Sequence, residues 1–97
     1  MKKLFTILAL TIGVSVSAQT GNTSTGTNAL ANNTKGDYNT ATGESAMETN
    51  TTGYSNTASG YESLYSNTEG YRNTAFGDGA LNANTTGSYN IASGGVS

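Results

Sequence analysis

A period of 17 residues runs through this 97-residue chain from Gln19 onward, with no insertion or deletion. Full units begin at Gln19, Gly36, Gly53 and Gly70, covering 19–35, 36–52, 53–69 and 70–86, and a partial unit covers 87–97. The eighth position of each unit is Gly26, Gly43, Gly60, Gly77 and Gly94, and the fourth is Asn22, Asn39, Asn56, Asn73 and Asn90. Thr23, Thr40, Thr57 and Thr74 follow at the fifth position, where Ile91 breaks the column. Ser24, Ala41, Ala58, Ala75 and Ala92 occupy the sixth. A small–apolar pair recurs as Ala29-Leu30, Ala46-Met47, Ser63-Leu64 and Ala80-Leu81, and each full unit ends near an Asn-Thr pair such as Asn67-Thr68. A repeat held in register over so many columns requires each unit to be one element packed on its neighbours.

The columns indicate what that element is. Gly at one fixed place suits a turn with positive φ, where a Cβ would clash. Asn suits the corners, because it tolerates left-handed backbone and bonds its own main chain. Stretches of about five residues lie between corners, such as Asn39-Thr40-Ala41-Thr42, and these are strand-sized. The density of Asn, Thr and Gly disfavours helix throughout. The predicted fold is all-β: a parallel β-solenoid with one coil per 17-residue unit, two short strands and two turns to a coil. Copies of one residue then stand about 4.8 Å apart. Leu30, Met47, Leu64 and Leu81 become one apolar column inside, and stacked Asn or Thr side chains bond to their own copies. One large apolar side chain per coil is a thin core, so association of copies into a homo-oligomer is expected, burying more surface and covering open edges.

Residues 1–18 stand apart from the repeat. Lys2 and Lys3 precede an apolar run from Leu4 to Val14, and Ser15-Val16-Ser17-Ala18 supplies small residues at a cleavage site. These are the three parts of a secretory signal peptide, with cleavage expected after Ala18; the run is too short to span a bilayer. The expected location is secreted or cell-surface. The mature chain keeps Lys35 and Arg72 against six acidic residues, which argues against nucleic acid as a partner. The same balance argues against docking on anionic lipid, and no membrane insertion of the mature chain is expected. There is no Cys and no His, so disulfides, the usual zinc or copper ligands and His-based nucleophile activation are unavailable.

Candidate chemistry is sparse. Asp37, Glu44, Glu48, Glu62, Glu69 and Asp78 fall at scattered repeat positions, which suits solvated surface charge rather than a paired-carboxylate site. No catalytic residue, metal ligand or cofactor is expected. Tyrosine is the notable surface feature. Tyr54 and Tyr71 share the second position of the unit, and Tyr38 and Tyr89 share the third. Those four form a candidate contact strip for a protein or glycan, although Tyr also suits strands and coil edges for structural reasons. The Thr column at the fifth position invites an ice-binding reading, with Thr25 and Thr42 as part of a second column. Asn22, Asn32, Asn50 and Asn84 match the N-x-[ST] pattern, as chance allows in so Asn- and Thr-rich a chain.

The unit G-x-x-N-T-A-x-G-x-x-A-L resembles the YadA-like head repeats (Hep/Hag) of trimeric autotransporter adhesins and related tail-fibre-like surface proteins. The best matches are Asn56-Thr57-Ala58-Ser59-Gly60 with Ser63-Leu64, and Asn73-Thr74-Ala75-Phe76-Gly77 with Ala80-Leu81. The resemblance implies a left-handed parallel β-roll, a trimer, and a head that contacts host cells or matrix outside the outer membrane. Head repeats place a bulky aliphatic residue just before the Gly to fill the roll. That place holds Thr25, Thr42, Ser59, Phe76 and Ser93 here, so Phe76 alone would fill it. A whole adhesin of this kind adds a coiled-coil stalk and a C-terminal membrane barrel. The resemblance therefore implies a truncated relative, a partial product or a small module of different use. The expected function is a non-enzymatic adhesion module binding a host, matrix or glycan partner. The alternatives are a structural fibre or spacer segment and an ice-binding protein.

Overall fold

The computed structural model describes residues 20–95, and the expected signal peptide at 1–18 with its cleavage point lies outside them. Five three-residue strands recur once per unit: β1 Thr23–Thr25, β2 Thr40–Thr42, β3 Thr57–Ser59, β4 Thr74–Phe76 and β5 Ile91–Ser93. They form one parallel sheet in the order β1-β2-β3-β4-β5. The register pairs each residue with its copy in the next unit, as in Ala41 with Ala58 and Ala58 with Ala75. The chain is therefore an all-β solenoid, and the described residues contain no helix.

Alternation in the strand decides which side chains go inside. Successive Cβ atoms point to opposite faces, and the sixth position is the inward one. Ala41, Ala58 and Ala75 are wholly buried there, together with Ala46, Ala80, Met47 and Leu64. Leu30 and Leu81 pack against this core at its two ends, completing the expected apolar column.

Each coil has one strand, where the sequence led us to expect two, and the strands are shorter than expected. The second half of the unit is built from turns because its backbone is left-handed at alternate residues. Ser45 and Met47 have φ of 62° and 51°, and Glu62 and Leu64 have 55° and 51°. Alternating left-handed residues cannot make a pleated strand. Bonds between coils hold this half instead: Met47 N–H donates to the Ser63 carbonyl (2.9 Å) and Leu64 N–H to that of Ala80 (2.9 Å). At the end of each unit three successive N–H groups converge on one carbonyl. Those of Thr51, Thr52 and Gly53 all donate to the Thr68 carbonyl, at 3.0, 3.1 and 3.0 Å.

The eighth-position glycines match their expected role. Gly43 has φ of 121°, and a Cβ there would lie 2.8 Å from the carbonyl carbon and oxygen of Gly60 in the next coil. The asparagines match theirs in bonding but not in backbone conformation. Asn39, Asn56 and Asn73 are fully buried, and so are Asn50 and Asn67; none of the five takes a positive φ. They form two amide ladders along the rod, bonding copy to copy as expected, and the second ladder also ties the corner, as where Asn50 Nδ2 donates to the Gly53 carbonyl at 3.0 Å. In the first, Asn56 N–H donates to Oδ1 of Asn39 (2.9 Å) while Asn56 Nδ2 reaches the Gly70 carbonyl (2.8 Å). In the second, Nδ2 of Asn50, Asn67 and Asn84 donates to Oδ1 of Asn33, Asn50 and Asn67 at 2.7, 2.8 and 2.8 Å. A buried amide with no partner is costly, and a repeat supplies each amide with a copy of itself at strand spacing. Among the described residues no buried side-chain nitrogen or oxygen lacks a partner.

Candidate functional site: a tyrosine corner and a hydroxyl face

The first turn of each unit makes a corner. Its third position is left-handed in every coil: Tyr38, Ser55, Arg72 and Tyr89 have φ of 57°, 55°, 55° and 61°. Tyr38, Tyr54, Tyr71 and Tyr89 stand at this corner, one to a coil in four successive coils. Because Tyr54 and Tyr71 hold the same position one coil apart, their rings stack, with centroids 4.7 Å apart and planes at 3°. That separation is close to the strand spacing of about 4.8 Å, so the ladder itself sets the stack. Tyr89 belongs to the adjacent column and meets Tyr71 edge-on, at 5.5 Å and 75°.

Arg72 extends the row. Its Nη1 donates to the Tyr89 hydroxyl at 2.9 Å, and its guanidinium carbon lies 5.7 Å from the Tyr89 ring centre. The bond to Tyr89 holds Arg72 above its ordinary pKa. At the other end of the row Tyr38 lies over Gly21, where a Cβ would come within 2.8 Å of the ring. Tyr38 and Tyr89 are 62% and 63% exposed, against 40% for Tyr54. The structure thus links Tyr54, Tyr71 and Tyr89 by ring contacts, and Tyr38 continues the row on the coil before. Tyr61 and Tyr65 stand elsewhere on the coil. The sequence reading missed Arg72, although it shares the third position with Tyr38 and Tyr89 and precedes Tyr89 by one coil.

A second surface is the outer face of the sheet. With the sixth position inward, the fifth and seventh both point out. Phe76 is consequently 50% exposed, and Ile91 82%. This corrects the expectation that the residue before the Gly fills the roll: small Ala side chains close the roll at the sixth position. Thr23, Thr25, Thr40 and Thr42 are exposed on this face, with Thr57, Ser59 and Thr74 partly so. No charged residue stands in either column.

Among the described residues no three of His, Cys, Asp and Glu are grouped to hold a metal ion, and no helix is long and apolar enough to cross a membrane. Comparison with protein-family models, with curated proteins and with solved structures finds no match to this chain. The two surfaces must be read from their own geometry.

Proposed function

We propose that this chain is a non-enzymatic adhesion module, secreted or displayed at the cell surface, whose tyrosine corner binds an extracellular protein or glycan. The observation that carries this reading is the presence of one corner Tyr in each of four successive coils, with Tyr54, Tyr71 and Tyr89 in ring contact and Tyr38 and Tyr89 the most exposed of the four. Aromatic side chains combine large contact area with little rotamer entropy, which makes them frequent anchors of binding surfaces. The similarity to adhesin head repeats supports the same reading.

Tyr54 and Tyr71 turn their ring faces to each other, so they support the row, and Tyr38, Tyr89 and Arg72 are its contact residues. The same proposal takes the working form as a homo-oligomer, a trimer on the resemblance. In its support, Met47 and Leu64 are the only large apolar side chains fully buried among the described residues. Sedimentation of the protein tests that part, and a sharp monomer at all concentrations contradicts it.

Glycan and matrix-protein arrays test the adhesive part. Binding should fall about tenfold or more in a Tyr38→Ala, Tyr89→Ala double variant that keeps its fold. The second reading, a spacer with no ligand of its own, is favoured by the stacking of Tyr54 on Tyr71, which makes the corner partly self-sufficient. Unchanged array binding in the double variant, or a well-folded protein that binds nothing, would select the spacer.

A further inference from the structure

We infer that the outer face of β1–β4 binds ice, independently of the tyrosine corner. Seven consecutive places on this face carry hydroxyls: Thr23 and Thr25, Thr40 and Thr42, Thr57 and Ser59, then Thr74. The register places them in two straight ranks, Thr23-Thr40-Thr57-Thr74 and Thr25-Thr42-Ser59, with no offset between coils. The ranks repeat at about 4.8 Å along the rod and lie about 6.6 Å apart, two residues of extended strand. Phe76 and Ile91 end the hydroxyl array.

Three further observations say what this array recognises. The first is the state of its hydroxyls. Thr34, Thr51 and Thr68, at the sixteenth position, each donate to the backbone carbonyl one coil on, at 3.2 to 3.4 Å. Among the described residues, no side-chain hydrogen bond joins the threonines of the sheet face to the rest of the protein. The second is charge. Every Lys, Arg, Asp and Glu of the repeat region lies outside the two columns, so the face offers nothing to a charged polymer and suits a neutral one. The third is stiffness, since β2, β3 and β4 are backed by the buried Ala column and two amide ladders. A neutral, stiff, two-dimensional grid of paired methyl and hydroxyl groups complements a neutral lattice of water oxygens repeating on the same length scale. It has little to offer a flexible ligand, which needs no regular spacing.

The test is partition of the full chain, fluorescently tagged, into a slowly growing ice hemisphere, with thermal hysteresis and recrystallisation assays alongside. The wild type should be taken up and should shape the crystals. Thr40→Tyr and Thr57→Tyr, which raise a bulky ring on the grid, should each lower uptake at least fivefold. Glu69→Tyr, an equal bulk on an exposed turn, should leave it unchanged. Circular dichroism establishes that each variant is folded, and the wild-type measurement stands even if a variant is not. Exclusion of the folded wild type from ice overturns the inference. Equal uptake of folded Thr40→Tyr overturns it as well. So does an assembly in which a second copy covers this face, seen as a smaller sedimenting species in Thr40→Tyr with no ice uptake by the wild type.

Discussion

Replacing Asn67 with Ala interrupts an amide ladder at its centre, and the cost follows from the bonds removed. Nδ2 of Asn67 donates to Oδ1 of Asn50 at 2.8 Å and to the Gly70 carbonyl at 3.0 Å. Its own Oδ1 accepts from Nδ2 of Asn84 at 2.8 Å. The Gly70 carbonyl keeps the amide of Asn56, and Asn84 keeps its bond to the Gly87 carbonyl. Oδ1 of Asn50 is left buried with no donor. Three bonds at about 1 kcal/mol each and one orphaned acceptor at about 1–3 kcal/mol give about 4–6 kcal/mol. A small domain has about 5–15 kcal/mol of stability in all, so the variant should be largely unfolded or close to it. Asn84→Ala removes a half-buried amide that donates two bonds and leaves Oδ1 of the buried Asn67 with no donor, so by the same count it should cost about 3–5 kcal/mol.

Urea denaturation followed by far-ultraviolet circular dichroism reads both values. Asn67→Asp separates the loss of a donor from the loss of volume. It keeps the shape but puts an oxygen where Nδ2 faced Oδ1 of Asn50 and the Gly70 carbonyl. Burial would push that carboxyl above its ordinary pKa. The folded variant then binds a proton more tightly than the unfolded chain, so its stability should rise as pH falls from about 7 towards 4. The buried wild-type amide does not titrate. A value for Asn67→Ala within about 1 kcal/mol of wild type would refute the account of the ladder as a chain of buried, mutually dependent amides.

Gly43→Ala should prevent folding or cost more than about 3 kcal/mol in the same denaturation assay, since it combines backbone strain with displacement of the next coil. Glu62→Gly should stabilise by up to about 1 kcal/mol; Glu62 has φ of 55°, and Gly79 already holds the same place one unit later. A double-mutant cycle on Tyr54→Ala and Tyr71→Ala should give a coupling of about 0.5–1.5 kcal/mol, and a value near zero would mean the rings do not stack in solution. Glu62, with Glu44 and Asp78 further off, raises the pKa of the exposed Tyr61 phenol above its ordinary value. Ultraviolet titration should show Tyr61 ionising earlier in Glu62→Gln, with the difference shrinking as salt is added.

The parts of the fold that depend on the period alone were legible in the sequence. The coil length, the parallel stacking, the positive φ of the eighth-position glycines and the Leu/Met column all follow from seeing equivalent residues one above another. The orientation of the seventh position was misjudged, although strand alternation contains the answer: an inward Ala58 between Thr57 and Ser59 sends both neighbours outward. The left-handed backbone at Met47, Leu64 and Leu81 had no sequence signal, because long aliphatic side chains rarely take that conformation. Tertiary context imposes it, through inter-coil bonds and burial. The bonding of Asn to its own copies was legible too, whereas the left-handed backbone expected of it is absent at Asn39, Asn50, Asn56, Asn67 and Asn73. The Tyr row was legible from shared columns, and Arg72 could have been found the same way, since it shares the third position with Tyr89 one coil on.

The columns of this repeat divide by what their uniformity does. Gly at the eighth position, Asn at the fourth and fifteenth and, from the second unit on, Ala at the sixth are uniform because each copy touches the next through backbone approach, an amide bond or close packing. A change there affects the coil on either side, and selection for the fold alone keeps them alike. The second, third, ninth and thirteenth positions vary from coil to coil, carry most of the charge and include all six Tyr. A ligand specific to this chain can be distinguished only by what varies, which is the reason the proposed adhesive site is put at the tyrosine corner. The fifth position is the exception, because its threonines point outward and bond to no copy, yet they recur four times in succession. Strand propensity explains a β-branched residue there, but Val or Ile would serve it equally, as Ile91 does. Among the described residues these hydroxyls make no side-chain bond, and the inferred periodic target would give their regular spacing a use that strand propensity does not.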